Sequence, residues 1–281
     1  MGQTTSTCCE SKATHGAEEI NSDPSSVGSN AAGNRAALRE RPFGVKEARP
    51  VYTYPNGSTY TGEWVGSVRH GKGVQVWSDG ARYDGYWDND AAHGDGRFDH
   101  TDGDVYEGQW SKDKAHGEGT YSHASGSKYT GQWQEDKQSG TGEETWPDGA
   151  RYAGQYRDGL KAGYGDFSWA DGSSYHGEFL NNDIHGEGVY AWQDKRQYKG
   201  QWDKNRMMGR GTFAWADGRV YEGEYEHDQK QGEGRFTWPD GRSYEGQWKD
   251  GKQHGTGISR SLDQVQREGE WEDGKRVRWL D

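Results

Sequence analysis

A strict 23-residue repeat constrains this chain more than any other feature of its sequence. The pattern aromatic-x-Gly-x-aromatic first occurs at Tyr60, Gly62 and Trp64, and it then returns every 23 residues without an insertion. A fixed period of this length is typical of proteins built from stacked supersecondary units. The aromatic positions predict a repeat core of Tyr60, Trp64, Tyr83, Trp87, Tyr106, Trp110, Tyr129, Trp133, Tyr152, Tyr175, Tyr198, Trp202, Tyr221, Tyr244 and Trp248.

A second pair of glycines keeps the same phase, as at Gly71 and Gly73. Within each block the marked residues are spaced by two, which is the period of a β-strand with those residues on one face. Asp-Gly or Asn-Gly dipeptides such as Asp79-Gly80 close most units, and they supply the positive φ of tight turns. Each unit is therefore predicted to run strand, turn, strand, turn.

The composition predicts a thin core made of aromatic rings. Only 29% of residues are hydrophobic, yet the chain has 14 Trp, 17 Tyr and 45 Gly. Glycine inside a strand costs stability, so its regular placement needs a reason. We expect bare glycines to leave room for rings from the facing strand or the next repeat. The predicted fold is an all-β, continuous antiparallel meander that extends as a rod.

The sequence resembles the MORN (membrane occupation and recognition nexus) repeat. The resemblance rests on Tyr-x-Gly-x-Trp followed by Gly-x-Gly at 23-residue spacing, and it covers residues 51–281 in nine good copies and one degenerate C-terminal copy. It implies an elongated, solenoid-like rod of antiparallel β-hairpin repeats that often self-associates. In some family members a lipid kinase or methyltransferase domain accompanies the repeats. No residues here remain outside the repeats to house one, so we expect no enzyme, no catalytic residue and no cofactor.

Residues 1–9 match a signal for N-terminal acylation. Gly2 would become the myristoylated residue after removal of the initiator, Ser6 lies at the favoured position, and Cys8 and Cys9 follow as palmitoylation candidates. One myristoyl chain holds a protein to a membrane only weakly, and stable anchoring takes a second signal. Residues 10–50 are rich in Ser, Ala, Gly and Asn and lack periodicity, so they are predicted to be a disordered linker.

The net charge of the chain disfavours some classes of binding partner. The formal net charge is −12, and an acidic protein is a poor ligand for nucleic acid or for an anionic lipid surface. The predicted function is a membrane-associated scaffold held by acyl chains on the cytoplasmic face of the plasma membrane or an internal membrane. Its repeats would recruit protein partners or self-associate at a membrane–cytoskeleton boundary. Two alternatives remain open: a phosphoinositide-binding module, and a structural subunit of a ciliary or axonemal complex.

Two patterns that suggest small ligands are better explained by the repeat. The Gly-x-Gly pairs lack the Gly-Lys-Ser/Thr ending of a phosphate-binding loop. One repeat position is histidine in five copies, but equivalent residues of neighbouring repeats should lie about 10 Å apart, too far to share a metal ion. We therefore predict no metal site and assign these residues to turns. They are His70, His93, His116, His185 and His254.

Overall fold

The computed structural model describes residues 44–280, and within this range every regular element is a β-strand. The all-β prediction is confirmed. No helix long and apolar enough to cross a membrane occurs between residues 44 and 280. The predicted acylation sites Gly2, Cys8 and Cys9, and most of the predicted linker, lie outside the described residues. The chain divides into two compact units, Met1–Ser139 and Gly140–Asp281.

The described part of the first unit consists of antiparallel strands that pair in chain order. They are β1 (Lys46–Thr53), β2 (Thr59–Val65), β3 (Val68–Val76), β4 (Arg82–Asp88), β5 (Ala91–Asp99), β6 (Val105–Ser111), β7 (Lys114–Ser122) and β8 (Lys128–Gln134). Strand β1 begins at Lys46, before the predicted start of the array at residue 51. It pairs with β2, with Lys46 opposite Val65 and Thr53 opposite Thr59.

The second unit continues the same pattern from Gly140 within β9, and each strand again pairs with the next. Its strands are β9 (Lys137–Thr145), β10 (Arg151–Arg157), β11 (Leu160–Ser168), β12 (Ser174–Leu180), β13 (Asp183–Ala191), β14 (Gln197–Asp203), β15 (Arg206–Ala214), β16 (Val220–Glu226), β17 (Gln229–Thr237), β18 (Ser243–Lys249), β19 (Lys252–Arg260), β20 (Gln266–Glu272) and β21 (Lys275–Trp279).

Each repeat is a short strand and a long strand joined by a tight two-residue turn. Between β4 and β5 the turn residues Asn89 and Asp90 have φ of 49° and 67°, which is the type I′ geometry that matches strand twist. The Asp-Gly dipeptides lie in the longer turn that closes the unit, where Trp77 N–H donates to Ala81 O at 2.9 Å and Gly80 has φ of 97°. The predicted order of strand, turn, strand, turn is confirmed.

A β-bulge recurs at the same place in the hairpins. In the first repeat the register shifts between Gly62 and Trp64, and the facing Gly71 has φ of 77°. Here β3 carries two more residues than β2 between the paired positions, and such a bulge requires a residue that tolerates positive φ. The recurrent histidines, such as His70 in β3, precede this glycine inside the strand. Their assignment to turns was wrong.

Candidate functional site

The tyrosine that opens each repeat lies across a pair of facing glycines. Tyr60 is fully buried, and Gly62 pairs with Gly73 on the neighbouring strand. A Cβ atom added to Gly73 would lie 2.1 Å from the Tyr60 hydroxyl oxygen, a distance that real Cβ contacts do not reach. The ring therefore occupies the space that the missing side chains leave, and the expectation for the bare glycines is confirmed.

The hydroxyl of the same tyrosine fixes the short strand. Tyr60 Oη donates a hydrogen bond to Glu63 O at 3.0 Å. Burial raises the pKa of Tyr60 to about 12, so the hydroxyl stays a donor at neutral pH. The equivalent bond forms in every good copy, from Tyr83, Tyr106, Tyr129, Tyr152, Tyr175, Tyr198, Tyr221 and Tyr244.

The second aromatic residue of each repeat links it to the repeat before. The Trp87 ring packs edge-on against Tyr83 at 5.0 Å and against Tyr60 of the preceding repeat at 5.7 Å. Its Nε1 donates to Gly73 O at 3.1 Å, which satisfies both polar groups away from water. Equivalent indole bonds come from Trp110, Trp133, Trp202 and Trp248. Of the predicted core residues only Trp110 is partly exposed, and the others are buried.

In most repeats a glutamate or glutamine just before the second aromatic residue satisfies the bulge, and this was not predicted from the sequence. Gln155 Oε1 accepts the backbone N–H of Tyr164 at 2.9 Å, an amide that the bulge withdraws from the strand ladder. The same side-chain acceptor serves the bulge at Glu63, Gln109, Glu178, Gln201 and Gln247. The recurrence of Glu or Gln just before the second aromatic residue is the signal that could have revealed it.

The two-residue turns form a second link between repeats. Asn205 N–H donates to Ile184 O at 3.0 Å, and Asn205 Oδ1 accepts Ile184 N–H at 2.8 Å. This reciprocal pair recurs wherever the second turn residue is Asn or Asp, for example at Asp113 with Ala92. Burial of its carboxyl group raises the pKa of Asp113 above its ordinary value, although the bond to Ala92 opposes the shift.

The sheet face opposite the rings is polar and open, and we call it the open face. Each described unit exposes one tyrosine there: Tyr86 is 42% exposed in the first and Tyr164 is 60% exposed in the second. Tyr86 lies in a shallow groove of about 490 Å³ within the first unit. Charged side chains line that groove, namely Lys72, Asp84, Asp95, Arg97 and Glu107.

Several surface cations of the described repeats pair with carboxylates within the same unit. Arg97 pairs with Asp99 at 2.7 Å, and Arg151 pairs with Glu143 at 2.7 Å. Between residues 44 and 280 no group of three or more His, Cys, Asp or Glu side chains is placed to hold a metal ion.

Taken together, the bulged hairpins, the Tyr-on-Gly contacts and the inter-repeat indole bonds define a tandem β-hairpin repeat protein. The MORN repeat family model matches segments that span most of the chain, and the chain belongs to the MORN repeat family. The matched segments are residues 51–59, 60–82, 83–105, 106–128, 129–151, 152–174, 175–195, 198–218, 221–241, 244–261 and 268–277. No curated protein is similar enough to the whole chain to give a match.

Solved structures of centriolar protein domains are distantly similar. The TCP10 domain of Danio rerio CPAP, in complex with a peptide of STIL, has 11% sequence identity and a TM-score of 0.44, and the match covers 84% of this chain and 99% of that chain. The TCP domain of Drosophila melanogaster SAS-4, bound to a proline-rich motif of Ana2, has 12% identity and a TM-score of 0.35, with 70% and 98% covered. Likeness at this level carries no argument about function.

Proposed function

We propose that this protein is a non-enzymatic interaction scaffold whose open face binds protein partners, while acyl chains at Gly2, Cys8 and Cys9 hold it to a membrane. The observation that carries the proposal is that the two faces of the strands differ in what they contact. Ring contacts and indole bonds that join repeats lie on one face, and the open face keeps its polar side chains and two tyrosines for other molecules. Exposed tyrosines are favoured anchors in protein interfaces.

Charge favours a protein partner over a lipid headgroup. A phosphoinositide would have to displace carboxylates from arginines that are already paired, such as Arg97 and Arg151. The net charge of −12 adds repulsion from an anionic membrane surface. We therefore assign membrane attachment to the acyl chains and partner binding to the repeats. The partner can be another protein or a second copy of this chain.

Partner binding is tested by alanine substitution on the open face. Tyr86→Ala and Tyr164→Ala in the full-length chain should each leave folding intact and reduce recovery of at least one cross-linked protein partner several-fold. Leu262→Ala is the matched control, because Leu262 is 62% exposed but lies in the turn between β19 and β20. Unchanged partner recovery from both tyrosine variants would defeat the scaffold proposal.

Membrane attachment is tested by localising the intact protein beside two variants. We expect Gly2→Ala to be released to the soluble fraction, because it removes the acceptor for myristate. The Cys8→Ser/Cys9→Ser double variant should bind membranes weakly and reversibly, as one chain alone does. Retention of Gly2→Ala at the membrane would refute the anchor. If Gly2→Ala floats with vesicles in proportion to their phosphoinositide content, the lipid-binding alternative is favoured.

A further inference from the structure

Three full repeats, and the degenerate last copy at Arg276, place a cation against the rings of the aromatic face. Arg69, Lys161 and Lys230 occupy the same repeat position, near the start of the long strand. Arg69 lies 3.9 Å from the centroid of the Trp87 ring, and Lys161 Nζ lies 5.0 Å from the centroid of Trp146. Ring faces attract such cations, but a partly buried charge is favourable only when an oxygen also accepts from it.

The first two cations have such an oxygen partner. Arg69 Nε lies 3.1 Å from Asp90 Oδ1. Lys161 Nζ lies 2.7 Å from Glu144 Oε2, and both side chains are largely buried. Tyr156 Oη donates to the same Glu144 oxygen at 3.2 Å. In the Lys161 site a carboxylate is thus held by one ammonium and one phenol.

Lys230 has the richest ring environment of the three. Its Nζ lies within 5.2 Å of four ring centroids, those of Trp215, Tyr221, Phe236 and Trp248. No carboxylate among residues 44–280 pairs with it, and the one charged group that acts on it is another cation, Arg219. Burial lowers the pKa of the Lys230 amine to about 8.

The missing acceptor has a simple cause in the sequence. Phe213 occupies the repeat position at which the Lys161 site has Glu144, while Tyr225 stands where that site has Tyr156. Both donors of the Lys161 site therefore have counterparts here, and the acceptor does not. The Lys230 side chain is only half-buried, so its ammonium is not sealed from solvent.

We propose that Lys230 is a docking site for a carboxylate, the Asp or Glu side chain of an acidic segment in a protein partner. The incoming carboxylate takes the role that Glu144 plays for Lys161, beside the four rings that surround the ammonium. This site deepens the proposed scaffold function and rests on it, since it supplies a chemically selective contact on the aromatic face.

The test uses the full-length chain with isotope-labelled lysines and follows the Lys230 signal by NMR, assigned from Lys230→Met. Sodium acetate is the probe, and acetamide at matched ionic strength is the neutral control. Acetate should shift the Lys230 signal saturably and raise its pKa by about one unit or more, while acetamide leaves it unchanged. Lys161, already paired with Glu144, should not respond to acetate.

Two reciprocal substitutions provide matched controls. Glu144→Phe copies the Lys230 environment onto Lys161 and should make Lys161 responsive to acetate. Phe213→Glu should pair Lys230 internally and abolish its response. Because Phe213→Glu places a carboxylate in the aromatic core and risks unfolding the repeat, the titration of the unaltered protein is the decisive measurement. A Lys230 response no larger than that of exposed Lys249 overturns the site, and an equal response to inorganic phosphate overturns its selectivity for carboxylates.

Failure of this site and failure of the scaffold function are separable. If acetate binds Lys230 while Tyr86→Ala and Tyr164→Ala lose no partner, the scaffold proposal fails and the anion site stands. If those variants lose partners while Lys230 ignores acetate, the open face stands as an interface and the Lys230 site is refuted.

Discussion

Replacing Gly188 by alanine tests whether the Tyr-on-Gly contact holds the repeat together. Gly188 lies in β13 opposite Gly177, and its backbone has no positive φ. An alanine there would therefore cause no backbone strain, and its whole effect would come from the added methyl group. That Cβ would lie 2.2 Å from Tyr175 Oη and 2.4 Å from Tyr175 Cζ, so the ring itself must move.

The expected cost follows from what Tyr175 would lose. Overpacking a tight contact by one methyl group typically costs about 1–3 kcal/mol. Moving the ring also weakens the hydrogen bond from Tyr175 Oη to Glu178 O, which measures 3.0 Å and contributes about 1 kcal/mol. It disturbs the edge-on contact with Trp202 of the next repeat at 5.8 Å. We expect Gly188→Ala to lower the free energy of unfolding by about 2–4 kcal/mol.

Urea denaturation of the full-length chain, followed by tryptophan fluorescence, measures this loss. Native-state hydrogen exchange of the β12 and β13 amides localises it, since repeat proteins need not unfold in one step. The control is a double-mutant cycle with Tyr175→Leu, whose flexible side chain can yield to the methyl group. A loss below about 0.5 kcal/mol, or an equal loss in the Tyr175→Leu background, would refute a steric role for the ring.

Three further substitutions test the other links. Asn205→Ala should cost about 1–2 kcal/mol in urea denaturation, because it loses the acceptor for Ile184 N–H and strains a φ of 66°; Asn205→Gly, which relieves the strain alone, should cost less. Asp113→Asn should stabilise the protein at pH 7, since burial raises the pKa of Asp113 and so disfavours its carboxylate in the folded state. That gain should vanish in thermal melts as the pH falls below the ordinary pKa, and a constant gain contradicts the cause. Lys230→Met should raise the free energy of unfolding by about 1–2 kcal/mol at pH 7, after allowance for partial exposure. Because the pKa of Lys230 is about 8 in the folded state against an ordinary 10.5, this gain should shrink as the pH rises between these values. A pH-independent gain would exclude the charge as its origin.

The parts of the fold that the sequence predicts are those set by spacing alone. The spacing of two residues between Tyr60, Gly62 and Trp64 predicts a strand that carries its rings on one face. The two aromatic side chains on that face are buried in the structure. The bare glycines predict space for a ring because nothing else explains glycine in a strand. Neither inference depends on knowing which residue faces which.

The parts that the sequence analysis missed depend on register. Gln155 satisfies the amide of Tyr164 only because a bulge shifts β10 against β11 between Gly154 and Tyr156. The bond from Trp87 to Gly73 likewise joins residues of different repeats. A single sequence shows that such residues recur, but the pairing that makes them partners appears only when the strands are set side by side.

The indole bonds between repeats run in one direction, and this makes the first repeat unlike the others. Five indoles donate to a carbonyl in the repeat before, namely Trp87, Trp110, Trp133, Trp202 and Trp248. Trp64 Nε1 has no hydrogen-bond partner among the described residues. Strand β1 covers this ring by other means. Tyr52 packs against it edge-on at 5.8 Å, and Arg49 lies over it at 5.3 Å. Packing and a cation thus replace the missing carbonyl.

The last described strand of the second unit, β21, shows the same kind of contact. Trp279 packs edge-on against Trp271 at 6.1 Å, and Arg267 and Arg276 lie over the Trp279 ring at 4.2 Å and 4.1 Å. A repeat array needs terminal elements with a polar outer surface, because its interior faces are made to contact another repeat. An arginine over a terminal tryptophan meets that need, since its stem covers the ring while its charge faces water. The arginines over Trp64 and Trp279 therefore shield these rings, each within its own unit.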